Sequence, residues 1–173
     1  MQQIKIESIK YGWFEMRFSN HYVCCSNYLG NDTPRELLNA SYCLLVKKTE
    51  SEWICWDDEP GAYIMNLERV EDKVLLTLYS ASKNAYQLRH SSHSIKESCG
   101  EQMWFVSLEA ARFTDELITE FSLYKDGIGA SIYKNNWMLF PEQEFKDLEV
   151  YANELSRTLG KYEKLFCTSY GVR

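Results

Sequence analysis

The stretch AYIMNLERVEDKVLLTLY, residues 62–79, constrains the fold of this chain more than any other. Apolar side chains occupy every second position on both sides of a charged stretch: Tyr63, Met65, Leu67, Val74, Leu76 and Leu78. A period of two places such residues on one face of a β-strand. Asp72 and its charged neighbours supply the turn chemistry between the two strands. The pattern therefore predicts an antiparallel hairpin with strands over 62–68 and 73–79.

Further short strands are predicted on both sides of this hairpin. The N-terminal segment QQIKIESIKYGWFEMRF predicts two strands with a break near Gly12, and a third short strand is expected over 21–29. Two more strands are predicted at 52–56 and 102–106. We expect these strands and the hairpin to build one antiparallel sheet.

A strong helix start follows the N-terminal strands. Thr33 is suited to the N-cap, Pro34 falls at the first helical position, and Glu36 lies three residues after the cap. This combination is a capping box with the proline that first helical turns favour. The residues that then share one helical face are Leu37, Leu38, Ser41, Leu44 and Leu45.

Two later helices are predicted from the same periodicity. Ser107 is suited to cap a helix that ends at Gly127, and Pro141 opens a last helix that ends at Gly160. The GIGA stretch, residues 127–130, is interpreted as a helix end followed by a turn. The polar stretch 81–100 is expected to be a mobile loop.

These elements predict an α+β fold, in which an antiparallel β-sheet carries about three α-helices packed mainly on one face. A length of 173 residues fits one domain, and we expect residues 1–173 to form it. The sequence has no basic start followed by an apolar run, and no apolar stretch long enough to cross a bilayer. We therefore expect a soluble, cytoplasmic protein with no membrane role.

The cysteines are interpreted as free thiols. No two of the six have the C-x-x-C spacing of a redox or metal motif: Cys24, Cys25, Cys43, Cys55, Cys99 and Cys167. A reducing cytosol keeps such thiols free. We expect them to act as small, buried apolar side chains.

The net charge of −6 is concentrated in one segment. Residues 50–72 hold eight acids and one base, which is a net charge of −7, so the rest of the chain carries +1. Nucleic acid binding needs Lys and Arg against the phosphates, and this balance argues against it. A concentrated negative field instead favours a basic protein partner.

The acidic triplet Asp57, Asp58 and Glu59 lies inside this segment and precedes a Pro-Gly pair. We interpret it first as a connection between two strands, since Pro-Gly after polar residues ends a strand. Metal binding and acid–base catalysis are weaker alternatives. The acids lack the alternate spacing of a calcium-binding loop.

Trp53 and Trp56 lie three positions apart in a predicted strand, so their side chains point to opposite faces. We expect one indole in the core and the other facing outward. An outward Trp56 beside the triplet would form an aromatic anchor ringed by charge, as protein interfaces use. The favoured alternative is that both indoles are partly covered by loops of this protein. The predicted partner-binding residues are Trp56, Asp57, Asp58, Glu59 and Glu68.

His90 and His93, with Cys99 nearby, are the candidate metal ligands of the sequence. A structural zinc site needs four ligands at recognisable spacing, so two solvated histidines are the favoured interpretation. The sequence contains no G-x-S-x-G, Walker or G-x-G-x-x-G motif. We predict no catalytic residue, no metal and no cofactor.

Three segments resemble a known group of proteins. They are LGNDTPRELLNA, EWICWDDEPGAYIMNLERVEDKVLLTLY and a W-x-x-F-P boundary before the last helix. In pattern and spacing, from about residue 12 to 158, the chain resembles small bacterial immunity proteins of polymorphic toxin systems, including contact-dependent inhibition. The resemblance implies a non-enzymatic cytoplasmic protein that binds a toxin domain and occludes its active site.

Two other classes of function stay open at this point. One is an adaptor or structural protein that binds an unrelated partner or itself, for example as a homodimer. An apolar patch on the acidic surface would favour that class. The other is an enzyme whose site is assembled from scattered residues in a cleft, with perturbed pKa values among its polar groups.

Overall fold

The computed structural model describes residues 2–90 and 94–169. This part of the chain contains seven β-strands, which are Ile4–Lys10 (β1), Trp13–Phe18 (β2), His21–Ser26 (β3), Ser51–Trp56 (β4), Tyr63–Val70 (β5), Lys73–Ala81 (β6) and Cys99–Glu109 (β7). It also contains five α-helices, which are Thr33–Leu45 (α1), Ala85–His90 (α2), Ala110–Ser122 (α3), Gly127–Asn136 (α4) and Glu142–Ser169 (α5). A 3₁₀ turn covers Ile95–Ser98.

The predicted α+β class is confirmed, but the strands form two antiparallel sheets instead of one. One sheet has the order β1-β2-β3 and the other β4-β5-β6-β7. The chain leaves β3 through α1 before it enters β4, and the two sheets meet just past the ends of β3 and β4. There the backbone N–H of Ser26 donates to the carbonyl of Asp57 at 2.6 Å. β3 and β4 do not pair through a ladder of hydrogen bonds, so the two sheets remain separate.

The predicted hairpin is confirmed. β5 and β6 pair antiparallel from Tyr63 opposite Ser80 to Val70 opposite Lys73, which leaves Glu71 and Asp72 as the turn. Glu71 takes a positive φ of 56°, as a tight hairpin turn requires. The strand predicted at 102–106 is also confirmed, and it is longer because β7 pairs along most of β6.

The main core lies where both sheets and the helices meet. Helix α1 packs on β4 and β5, α3 packs on β1 and β7, and α5 packs on α1 and α3. The largest side chains that this core buries completely include Trp56, Tyr133, Phe14, Phe18, Phe113, Phe121 and Phe145. Burial of so much aromatic surface makes this core the chief source of stability.

A second, smaller core covers the other face of the four-stranded sheet. It contains Cys55, Ala62, Ile64 and Leu88. Leu88 comes from α2, so the described residues of the stretch 81–100, which are 81–90 and 94–100, contain regular structure where the polar sequence predicts a loop. The segment packs onto the sheet through a short helix and a 3₁₀ turn, and β5 is therefore buried on both faces.

The cap of α1 differs from the prediction by one residue. Asp32 is the N-cap, and its side chain accepts a hydrogen bond from the backbone N–H of Arg35 at 3.4 Å. Thr33 is buried, and its hydroxyl donates to the carbonyl of Cys55 at 3.2 Å. With Asp32 as the N-cap, Glu36 is the fourth helical residue and not the third, so it closes no capping box, and its carboxylate pairs with Arg89 instead. The proline signal is right about where the helix begins.

Replacement of Asp32 by alanine is expected to lower the free energy of unfolding by about 2 kcal/mol. The substitution removes the cap and also the acceptor of the Trp137 indole N–H, which lies 3.0 Å from Asp32 Oδ1. Asp115→Ala is the matched control, because Asp115 is exposed on α3. Urea unfolding followed by circular dichroism measures both variants. An equal stability of the two would show that Asp32 is not the cap.

The helices after residue 107 also differ from their predicted bounds. β7 runs on to Glu109, which pairs with Lys73, so α3 begins at Ala110 and not at Ser107. The GIGA stretch opens α4 instead of forming a turn. Its Gly129 is packed so closely that a Cβ there would lie 1.8 Å from the carbonyl oxygen of Leu123.

The last helix is longer than its sequence signals suggest. α5 continues through Gly160 to Ser169, although the glycine predicts a stop. No helix in residues 2–90 and 94–169 combines the length and the apolar composition that crossing a membrane requires.

Candidate functional site

The segment WDDEPG, residues 56–61, connects β4 to β5, as predicted. Its three consecutive acids lie in three different environments. Asp57 is buried with 2% of its surface exposed, Asp58 is half-buried, and Glu59 is exposed. The segment turns sharply, since the backbone N–H of Gly61 donates to the carbonyl of Asp58 at 2.5 Å. The triplet is therefore not one acidic surface.

Asp57 belongs to a buried polar network. Its carboxylate accepts hydrogen bonds from the amide of Asn31 and, at 3.1 Å, from the thiol of Cys55. Nε of Arg89 lies 3.4 Å from Asp57 Oδ2. A cation and hydrogen-bond donors here take the place of the water that a carboxylate loses on burial.

Arg89 ties this network to α1. Its guanidinium meets the Glu36 carboxylate with both terminal nitrogens, at 2.6 and 3.4 Å. Burial raises the pKa of Glu36, and the hydrogen bond and charge of Arg89 partly offset this. Arg89 also donates to the carbonyl of Cys55 at 3.4 Å. The network thus fixes α2 against α1 and β4, which is a structural task.

The prediction that Trp56 faces outward is wrong. Trp56 is 0% exposed and packs edge-on against Phe18, with ring centroids 6.4 Å apart. Trp53, on the other face, is partly covered by Tyr79 and by the ammonium of Lys96. Both faces of β4 are covered, so neither indole serves as an open anchor. Trp56 and Asp57 do not lie on the surface where partner contacts were expected.

Glu68 is exposed, but it lies far from the triplet. It sits near the opposite end of β5, where it pairs with Ser51 on β4. Glu68 lies five positions along β5 from Tyr63, which places the two residues about 17 Å apart. Residues 50–72 thus supply acids to two ends of the sheet, and the structure does not bring Glu68 and Glu59 together.

Glu59 lies in a different surface, which we call the aromatic rim: Tyr28, Leu29, Glu59, Pro60 and Tyr86. These residues surround a shallow depression of about 270 Å³, together with Gly61 and Asn84. Tyr28 is 79% exposed and Tyr86 is 60% exposed. The rim joins the β3–α1 connection, the β4–β5 connection and α2, so no local sequence pattern announces it.

Asp58 lines a second concavity, which we call the inter-sheet cleft. It has a volume of about 210 Å³. Glu15, Tyr22, Val23 and Cys24 line it from the three-stranded sheet, and Asp58, Tyr63, Leu78, Met103 and Trp104 line it from the four-stranded side. The indole of Trp104 is held in place by His21, which stacks on it at 5.3 Å between ring centroids.

The polar groups of the cleft are not tuned for nucleophilic chemistry. The thiol of Cys24 donates to Asp58 Oδ1 at 3.5 Å. Burial and the neighbouring Asp58 charge raise the pKa of Cys24 to about 11. The same two causes raise the pKa of Tyr63. A nucleophilic cysteine needs the opposite shift, so Cys24 stays a thiol at neutral pH.

Cys24 is expected to react with iodoacetamide at least about tenfold more slowly than free cysteine at neutral pH, because so little thiolate is present. Peptide mapping by mass spectrometry gives the rate for this residue alone. Asp58→Asn removes the negative charge beside the thiol, and it is expected to raise that rate. A rate equal to that of free cysteine would restore a catalytic role for Cys24.

The histidine and cysteine candidates do not converge in the described residues. His90 is exposed and packs beside Tyr86, with ring centroids 4.4 Å apart. Cys99 is half-buried, and burial raises its pKa. His93 lies outside the described residues. Within residues 2–90 and 94–169, no group of three His, Cys, Asp or Glu side chains is placed to hold a metal ion.

No protein-family model, curated protein or solved structure matches this chain. The resemblance to immunity proteins therefore rests on the sequence segments quoted above. The aromatic rim and the inter-sheet cleft are the surfaces from which a function can be argued.

Proposed function

We propose that this chain is a non-enzymatic binding protein of the immunity type, which occludes a basic toxin domain with its aromatic rim. The observation that carries the proposal is the exposure of Tyr28 and Tyr86 around Glu59 and Pro60. In this proposal, Tyr28 and Tyr86 take the place of Trp56 as the aromatic contact residues. Glu59 is retained from the partner-binding residues that the sequence predicts.

The composition of the rim is that of an interface centre. Tyrosine is enriched at protein interfaces and among the residues that dominate binding energy, since it supplies a large rigid area with a polar tip. The rim presents two exposed tyrosines and Leu29, which is 42% exposed. A folded protein that leaves such side chains together on its surface has a surface suited to a partner.

The rim is held rigid, which favours binding. Arg89 fixes α2 and therefore the base of Tyr86. On the other side, the Asn27 amide donates to the carbonyl of Trp137 at 2.9 Å, and Gly30 N–H donates to the carbonyl of Asn27 at 2.8 Å. Tyr28 and Leu29 lie in that turn. A pre-organised surface loses less entropy when it binds.

Charge supports a basic partner. The chain carries a net charge of −6, and Glu59 lies in the rim. Lys83 and Tyr86 both line a neighbouring depression. The negative field of the whole chain would speed the encounter with a cationic surface and select against acidic partners. A toxin domain that cuts nucleic acid is such a partner, and the resemblance to immunity proteins supports that class.

The test is a tagged pull-down from a lysate of the cells that make this protein, washed at low and at moderate salt. A single basic protein is expected, and its retention is expected to fall with salt. Tyr28→Ser and Tyr86→Ser are each expected to weaken its binding at least about tenfold. Glu59→Lys is expected to slow association at low salt, while Glu68→Lys at the far end of β5 serves as the matched control.

The toxin class has its own test. The captured protein is expressed in cells with and without this chain, and growth is measured. Growth arrest that the wild-type chain relieves and the Tyr28→Ser/Tyr86→Ser variant does not would support an immunity role. If the captured protein does not arrest growth, the chain is better described as an adaptor than as an immunity protein. Recovery of further copies of this chain alone would instead indicate a homodimer.

A further inference from the structure

The inter-sheet cleft combines aromatic and acidic side chains from five different segments of the chain. Tyr22 comes from β3, Tyr63 from β5 and Trp104 from β7. Glu15 comes from β2, and Asp58 comes from the β4–β5 connection. The fold thus brings three aromatic rings and two carboxylates to one concavity between its two sheets.

We propose that the inter-sheet cleft binds one organic cation, an ammonium or guanidinium head group, between its aromatic rings and the carboxylates of Asp58 and Glu15. Aromatic rings attract cations through the negative potential of their faces, and Trp and Tyr do so most strongly. Carboxylates add charge-assisted hydrogen bonds, which alkylammonium and guanidinium groups donate. The two kinds of group favour the same ligand.

The two carboxylates lack a cation of their own. In the part of the chain that the structure describes, no ion pair joins Asp58 or Glu15 to a lysine, arginine or histidine. Arg17 is the basic residue of β2, and its Nε is paired with Glu7 at 2.8 Å. Asp58 accepts from the neutral thiol of Cys24 instead. Two unpaired carboxylates in a partly dry cleft favour the entry of positive charge.

The neighbouring titratable groups report the same field. The pKa values of Cys24 and Tyr63 are both raised, first by burial and then by the charge of Asp58. An anionic ligand would meet this repulsion as well. The cleft therefore selects against carboxylates and phosphates.

The size of the cleft limits the ligand to a head group. About 210 Å³ is the space of roughly seven water molecules. Pockets for whole drug-sized ligands begin at about 300 Å³. A methylated or simple ammonium group, or the end of a lysine or arginine side chain, fits this space.

This inference does not rest on the proposed function. The residues of the cleft and those of the rim are different, since Asp58 belongs to the first and Glu59 to the second. A cleft that binds a lysine side chain within a polypeptide would serve recognition of a basic partner. A cleft that binds a free cation would serve a small ligand.

The test is fluorine NMR of the full chain labelled with 5-fluorotryptophan, in which the five tryptophans give separate signals. The signal missing from Trp104→Phe is that of Trp104. Methylammonium and tetramethylammonium serve as free cations. N-acetyl-lysine methylamide, its trimethyl form and N-acetyl-arginine methylamide stand for side chains in a polypeptide. The Nε-acetyl-lysine analogue is the neutral control, and ionic strength is held constant with NaCl.

The Trp104 signal is expected to shift in a saturable way with the cations and not with the neutral analogue. Asp58→Asn and Glu15→Gln are each expected to weaken binding about tenfold, as loss of a charge-assisted hydrogen bond does. Glu68→Gln is the matched control and should leave the affinity unchanged. The other four tryptophan signals confirm that each variant is folded.

Several results would overturn the inference. Equal binding of the neutral analogue would show an apolar groove without charge recognition. Equal affinity in the Asp58→Asn/Glu15→Gln double variant would show that the carboxylates do not take part. A Trp104 signal that none of the cations shifts, up to their solubility, would show that the cleft binds none of them. Binding of the lysine or arginine analogues but not of the free cations supports the inference and assigns the source to a polypeptide.

Discussion

Trp56→Ala is expected to lower the free energy of unfolding by about 4 kcal/mol, the cost of removing a fully buried aromatic side chain. Trp56 is 0% exposed and reaches the inner side of the four-stranded sheet, where Phe18 of the other sheet meets it. Since Trp56 links the two sheets, its loss leaves a cavity between them that other side chains fill poorly. Urea unfolding followed by circular dichroism measures the change.

Trp13→Ala is the matched control for this substitution. Trp13 is 38% exposed on β2, and its replacement is expected to cost less than about 1.5 kcal/mol. If Trp56 lay on the surface as a partner contact, Trp56→Ala would leave the stability unchanged and would weaken partner binding. Such a result would contradict the placement of Trp56 in the core.

Arg89→Met is expected to lower the free energy of unfolding by about 3 kcal/mol, near the lower end of the range for a broken buried ion pair. The side chain of Arg89 keeps 20% of its surface, which moderates the effect. The substitution leaves Asp57, whose side chain is 3% exposed, and Glu36 without their shared cation. An uncompensated buried charge is the largest part of the loss.

The stability that Arg89→Met loses should depend on pH and should be smaller at low pH. Burial raises the pKa of Glu36 in the folded protein, so the folded state holds that proton more tightly than the unfolded chain. The contribution of Glu36 to stability is therefore present at low pH and lost as the pH rises through its folded pKa. Removal of Arg89 raises this pKa further. The Arg89→Met variant should thus lose less stability at about pH 5 than at about pH 7.

Arg35→Met is the control, because it removes the same charge from an arginine that is more exposed than Arg89. The Arg35 side chain is 44% exposed and lies 3.1 Å from Asp32. Its loss is expected to cost at most about 1 kcal/mol. Equal losses in Arg89→Met and Arg35→Met, at both pH values, would show that the buried network does not hold α2 in place. We also expect Arg89→Met to weaken partner binding at the aromatic rim, because Arg89 holds α2 in place and α2 carries Tyr86.

The hairpin and α1 could be predicted because their signals are local. Alternating apolar residues with a charged turn specify β5 and β6. Pro34 marks the start of α1 to within one residue, because α1 begins at Thr33. The class of the fold follows from such elements. The division into two sheets does not, because it depends on how α1 separates β3 from β4.

The acidic triplet could not be resolved from sequence for a related reason. Asp57 is buried because Arg89 returns to it from 32 positions further along the chain, and nothing near residue 57 announces that arginine. Trp56 is hidden because it faces the main core, where Phe18 packs against it. The second core covers the opposite face of β4, so alternation does not tell which face is open. The three acids were one motif in sequence and are three environments in space.

The rim was missed because its members are distant in sequence. Tyr28 falls in the strand predicted over 21–29, which ends at Ser26, and Tyr86 falls in the polar stretch 81–100. Each alone is an ordinary exposed tyrosine. The cleft was missed for the same reason. The GIGA stretch was misjudged because α4 is short and buries one side chain, Tyr133, so it leaves little periodicity to detect.

We propose that this protein binds a basic partner through its aromatic rim. The most direct test is photocrosslinking in the native cells, with p-benzoylphenylalanine placed at Tyr86 or at Val70. Val70 is 42% exposed and lies at the far end of β5. We expect one adduct with a basic protein from position 86 and none from position 70. An adduct from position 70 alone, or equal adducts from both, would contradict it.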